Sequence, residues 1–109
     1  MLHFRLLEYL ENGKSLYADW FSSLDAAPAA RIDRYVRRME NGNFGDSKAV
    51  GKGVRELRID FGPGYRVYYG IEEGRIILLL GGGTKRGQSQ DKKKAISRWA
   101  AYKKRKKQR

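Results

Sequence analysis

The sequence predicts an α+β domain, an antiparallel-rich sheet in the order β-α-α-β-β-β-α with the helices packed on one side. Three observations predict it. Two runs, Val54 to Phe61 and Tyr65 to Ile71, alternate apolar with polar residues at the period of two that marks a strand with one buried face. The apolar run Arg75 to Gly81 follows as an inner strand. Apolar residues recur at helical spacing both before and after this block.

Taken in order, Leu2 to Leu10 reads as the first strand, closed by Asn12-Gly13. Ser15 is placed to cap a short helix in which Leu16, Trp20, Phe21 and Leu24 share a stripe. Asp25-Ala-Ala-Pro28 opens a second helix, because proline is tolerated in a first helical turn. Ile32, Tyr35 or Val36, and Met39 form its buried stripe, and Asn41-Gly42 stops it. Asn43 to Lys52 has no periodicity and reads as a loop.

Gly62-Pro63-Gly64 turns the chain between the two alternating strands. Pairing Phe61 with Tyr65 across it sets Ile59 against Val67 and Leu57 against Tyr69, which puts every apolar residue on one side. A slip by one residue would bury charges, so the register is strongly specified. Arg58, Asp60, Arg66 and Tyr68 then share the opposite face. Glu72-Glu73-Gly74 closes a second hairpin, and Gly81 to Arg86 leads out of the sheet. Ser89 is placed to cap a last helix with Ala95, Ile96, Trp99 and Tyr102 on one face. Residues 103–109 have no apolar side chain to bury and read as a disordered basic tail after one domain spanning residues 1–102.

The net charge is +12, and it is unevenly spread. Residues 1–84 carry 12 Lys/Arg against 11 Asp/Glu, whereas residues 85–109 carry 12 against the single acid Asp91. A nearly neutral body with a polycationic last quarter attracts polyanions, nucleic acid first among them. The candidate RNA contacts are Lys92, Lys93, Lys94, Arg98, Lys103, Lys104 and Arg105, with Lys52 and Tyr68 beside the sheet. The absence of cysteine excludes disulfides and thiolate metal sites. Nothing has metal-ligand spacing, so no metal or cofactor is expected. No apolar run reaches the roughly 20 residues of a membrane span, and no signal-peptide core opens the chain, so the expected location is cytoplasmic.

One ordered set of short stretches carries a family likeness. It comprises Gly13-Lys14-Ser15 and Trp20, Arg31-Ile32, Gly42-Asn43-Phe44-Gly45-Asp46, and Gly51-Lys52-Gly53-Val54 with Glu56-Leu57-Arg58-Ile59. After these come Gly62-Pro63-Gly64-Tyr65-Arg66-Val67-Tyr68, then Gly82-Gly83-Thr84-Lys85 with Gln88 and Asp91. In this the chain resembles the RelE/ParE/HigB-type toxins of bacterial toxin–antitoxin pairs, most closely the addiction-module killer, or phage Gp49-like, proteins. The resemblance implies that family's fold, a small antitoxin partner of helix-turn-helix type, and one of two activities. These are ribosome-dependent cleavage of mRNA and inhibition of DNA gyrase without cleavage.

Carried over position by position, the phosphate-handling residues of the mRNA-cutting members fall on Arg58, Arg66, and Lys85 or Arg86. A tyrosine used by one branch falls near Lys92, a second-strand lysine falls near Glu56, and the histidine of another branch has no counterpart, since His3 lies in the first strand. Arginine suits the phosphate role because its planar fork binds phosphate oxygens bidentately. It is a poor proton carrier, so the base is left open among Glu56, Lys85, Lys52 and Tyr68. Asp60 reads as a cross-strand partner of Arg66. Gly81 to Gly83 lacks the Lys-Ser/Thr ending of a phosphate loop. A basic RNA- or ribosome-binding module without catalysis is the third reading.

Overall fold

The computed structural model describes residues 3–108. Strand β1 (Arg5–Glu8) is followed by a two-residue pair, β2 (Leu10–Glu11) with β3 (Lys14–Ser15), then helices α1 (Leu16–Ser22) and α2 (Ala26–Arg38). Strands β4 (Ser47–Gly51), β5 (Val54–Ile59), β6 (Tyr65–Glu72) and β7 (Ile76–Thr84) precede the 20-residue helix α3 (Gln88–Lys107). The main sheet runs β1-β7-β6-β5-β4, with β1 parallel to β7 and the other neighbours antiparallel.

Local chemistry explains the helix ends. The Ser15 hydroxyl accepts the Ala18 amide at 3.0 Å and caps α1. After α2 a 3-10 turn, Met39–Asn41, ends on Gly42 at φ 86°, a left-handed stop that favours glycine.

Several expectations are corrected. The first strand is shorter than Leu2 to Leu10, its chain breaking at Tyr9 into the small β2–β3 ribbon; Leu2 lies outside the described residues. The segment expected as a loop contains β4. This edge strand, mostly exposed and irregular between Ala49 and Gly51, shows no hydrophobic period because it has little to bury.

The β5–β6 register pairs Ile59 with Tyr65 and Leu57 with Val67, two residues away from the expected one. A shift of two keeps every side chain on its face. Phe61 is released from pairing into the turn, where its carbonyl accepts the Gly64 amide and the Arg31 guanidinium lies over its ring. Asp60 leaves the sheet with it, so Arg58, and not Asp60, stands opposite Arg66.

Helices cover both faces of the sheet, not one. Ile32, Val36 and Met39 of α2 and Tyr17 of α1 pack with Leu57, Ile59, Val67, Tyr69, Ile77 and Leu79. On the other face Ala95 and Trp99 of α3 pack with Val54, Tyr68, Leu78 and Leu80. Glycines in the strands admit this second layer. An added Cβ at Gly70 would lie 2.6 Å from the Trp99 ring, and one at Gly83 would lie 2.0 Å from the Asp91 carboxylate. Gly81 to Gly83 therefore stay within β7, which bulges where Tyr68 pairs with Gly81 and Tyr69 with Leu79. Gly70→Ala is expected to lower stability by about 1–3 kcal/mol through overpacking, measurable by urea unfolding.

The basic end is helical through Lys107 rather than a disordered tail from residue 103. Tertiary contacts hold it: Lys106 Nζ lies 2.5 Å from Glu72 Oε2, and Arg105 Nη2 donates to the Leu10 carbonyl at 3.2 Å. Among the described residues, no helix is long and apolar enough to cross a membrane.

Candidate functional site

Arg58 on β5 and Arg66 on β6 are directly opposite in register, and Gly83 on β7 completes that rung. One rung along the same face lie Glu56, Tyr68 and Gly81. Helix α3 begins with Gln88 at Glu56 and crosses the β7 glycines, Asp91 over Gly83 and Arg98 over Gly81. Asp91 thus lies at one end of the arginine rung, and the rung opens at its Arg58 end.

The inner rung is sealed. Glu56 is 0% exposed and accepts from Gln88 Nε2 at 3.0 and 3.3 Å. Its Oε1 lies 3.7 Å from Arg66 Nε, an ion pair in which the Arg66 side chain is 11% exposed. A fully buried carboxylate needs such partners, and here they fix Arg66 by its Nε side. The Tyr68 hydroxyl is buried without a hydrogen-bond partner among the described residues. Burial, then the nearby Glu56 charge, push its phenol well above the usual range, so it keeps its proton.

The outer rung is open. Arg58 Nη2 meets Asp46 Oδ1 at 2.8 Å, with side-chain exposures of 36% and 63%. The hydrogen bond from Arg58 holds the Asp46 carboxyl below its usual range. A cavity of about 430 Å³ is bounded by Asp46, Arg58, Asp60, Gly62, Pro63, Gly64, Arg66 and Lys85. Lys85 is anchored there through its backbone amide, which donates to the Gly64 carbonyl at 2.9 Å.

The structure thus brings Arg58, Arg66 and Lys85 together. Glu56 touches Arg66 but has no open face, which corrects its candidacy as a solvent-facing base. Tyr68 is equally enclosed. Arg86 is exposed and does not line the cavity. Lys52 lies elsewhere, at the β4–β5 turn with Ile96, Trp99, Ala100 and Lys103.

Of the α3 cations, Lys93, Lys94 and Arg98 border one shallow cavity with Glu11 and Ser97. Arg98 also donates to the Leu80 carbonyl at 2.8 Å. Lys103 Nζ sits 5.5 Å over the Trp99 ring, and Arg105 lies over Tyr9. Lys92 is half-buried and Lys104 exposed, neither with an ion pair among the described residues. Burial raises the Asp91 carboxyl, whereas Lys94 and Arg98 oppose the shift.

Sequence reasoning missed Asp46 as the partner of Arg58, and Gln88 as the donor that holds Glu56 against Arg66. The signal was present in the glycines of β6 and β7, which mark the approach of another element and hence a covered second face.

Asp46 competes with any incoming anion for Arg58. Asp46→Asn is expected to tighten binding of a polyanion severalfold at low salt, read by fluorescence anisotropy of a labelled probe. Its stability effect has the opposite sign. Because the folded Asp46 pKa is depressed, its contribution is present above the unfolded value and lost as pH falls through the folded one. Wild type and Asp46→Asn should therefore converge in stability in acid.

A family model described as "Phage derived protein Gp49-like" matches residues 19–106. A protein of Haemophilus influenzae, described as uncharacterized, is 45% identical over 80 residues, 72% of this chain and 81% of the relative.

Proposed function

Because the chain belongs to the Gp49-like phage-derived family, which is associated with addiction-module killer proteins, we propose that it is the toxin of a toxin–antitoxin pair that cleaves mRNA on the ribosome. The observation that carries this reading is the Arg58–Arg66 rung, opening with Lys85 into one cavity. Two guanidinium groups on adjacent rigid strands form a preorganised clamp for a phosphate whose charge grows in the transition state. The ribose 2′-oxygen attacks the phosphorus and the 5′-oxygen leaves, giving a cyclic phosphate and a 5′-hydroxyl end.

The exposed cations of α3 supply sequence-independent contacts to ribosomal RNA. Codon preference then comes from how the ribosome presents the message. The partner is a small antitoxin of helix-turn-helix type that covers the arginine face.

The test is a map of 5′-hydroxyl RNA ends after a brief pulse of the protein, beside an Arg58→Ala control. Ends within translated frames, absent in the control and in ribosome-blocked cells, are expected. Growth arrest with no new ends would remove the nuclease, and DNA damage signalling with message intact would point to gyrase.

A further inference from the structure

Resting on the nuclease reading, we propose that Asp60 is the general base that takes the proton from the attacking 2′-hydroxyl. Of the carboxylates near the arginine rung, Glu56 and Asp46 are each engaged by a neighbour and Asp60 is the unengaged one among the described residues, while the open cation Lys85 is left to serve the leaving oxygen.

Glu56 is fully buried, with both oxygens engaged by the Gln88 amide and one facing Arg66. Tyr68 is enclosed and its phenol is shifted so as to retain its proton. Asp46 lines the cavity but is hydrogen-bonded to Arg58 at 2.8 Å, and that bond lowers its affinity for a proton. Asp60 lines the same cavity, is exposed, and makes no hydrogen bond or ion pair among the described residues. Three cations border that cavity, Arg58, Arg66 and Lys85, yet among the described residues the arginines' ion pairs go to Asp46 and Glu56 and none goes to Asp60. An acid in such company that neutralises none of its neighbours has oxygen lone pairs free for substrate.

The register explains why. Had Phe61 paired with Tyr65, Asp60 would stand in the sheet facing Arg66. Pairing Ile59 with Tyr65 puts Asp60 at the head of the turn instead. That turn is firmly set. The Phe61 amide donates to the Ile59 carbonyl at 3.1 Å, the Gly64 amide to the Phe61 carbonyl at 3.0 Å, and Arg31 lies 4.5 Å over the Phe61 ring. A base must be held at hydrogen-bond reach of the proton it removes, and a fixed turn provides this better than a mobile loop.

The step balances without a further reactant. The 2′-hydroxyl proton passes to the Asp60 carboxylate as the oxygen–phosphorus bond forms. Arg58 and Arg66 hold the pentavalent phosphate. The 5′-oxygen bond breaks, and that oxygen takes a proton from the Lys85 ammonium or from water. Lys85 borders the cavity beside Gly64 and is exposed to solvent.

The experiment measures single-turnover cleavage of a defined message on programmed ribosomes, from acid to neutral pH, for wild type, Asp60→Asn, Asp60→Glu and Asp46→Asn. Asp60→Asn should cut about 10²–10⁴-fold more slowly, the range typical of a lost general base, with KM unchanged and the acid limb of the pH–rate profile gone. Asp60→Glu should recover part of the rate together with that limb, and Asp46→Asn should keep the limb. Asp60→Asn cutting at the wild-type rate would overturn the assignment. So would a raised KM with unchanged kcat, which would make Asp60 a binding residue. Wild type that cuts no message removes the nuclease reading and the base with it, whereas wild type cutting with an indifferent Asp60→Asn sinks the base alone.

Discussion

Glu56→Ala is expected to cost about 3 kcal/mol of folding stability, because breaking a buried ion pair leaves its other member uncompensated. Glu56 is 0% exposed, and Arg66, its counter-ion, is 11% exposed. The figure belongs at the lower end of the range for buried pairs, since the edge of Arg66 reaches the cavity and its water. Gln88 also loses its acceptor, and with it the bond joining the first turn of α3 to β5. Urea unfolding followed by circular dichroism measures the loss. Glu56→Gln keeps the shape and one acceptor oxygen while removing the charge, so it should fall between wild type and Glu56→Ala. A wild-type midpoint for Glu56→Ala would show that the pair contributes nothing.

Arg58→Ala should have the opposite profile. Its partner Asp46 is 63% exposed and returns to water when the arginine is removed, so stability should move by no more than about 0.5 kcal/mol. On the proposed nuclease function, cleavage should fall by about 10²–10³, the usual loss for one preorganised charge at a transition state. Arg58 is therefore a better diagnostic than Arg66, whose removal would strand Glu56 in the interior. Equal cleavage by Arg58→Ala and wild type would rule the outer rung out of the chemistry.

The asymmetry between these arginines follows from where α3 starts. Its first residue, Gln88, closes over Glu56, and Asp91 covers Gly83 in the next rung, which leaves that rung open at Arg58. Arg66 consequently has one side fixed and one side facing the cavity, whereas Arg58 has only a solvated partner. One arginine is held by a buried carboxylate, and the other by an exposed one that a competing anion displaces under the proposed function.

The placement of part of the candidate site was legible in the sequence. The alternation of β5 and β6 put Arg58 and Arg66 on a common face, and the resemblance pointed to the same two residues with Lys85. The state of the charges was not legible. Glu56 stands in an alternating strand among polar neighbours, a pattern that looks identical whether the polar face meets water or a second helix. Gly70, Gly81 and Gly83 distinguish the two cases, since each lies flat under a side chain of α3. The helical course of residues 103–107 was hidden for a related reason. Their composition offers nothing to bury, and they are held instead by Glu72 and by the Leu10 carbonyl.

By itself the sequence determined which residues share a face, because the strand period of two is a property of the local chain. It also determined the helix beginning at Ser15 and the stop near Gly42, which are set by side chains within a turn of the backbone. Only the tertiary structure decided between two registers of the same parity, because both bury the same apolar side chains. The difference lies in the turn, where Phe61 meets Arg31 from α2. The tertiary structure likewise decided that Glu56 is sealed and Asp60 open, since the Glu56 partner Gln88 is 32 residues away along the chain and is brought over it only by the packing of α3.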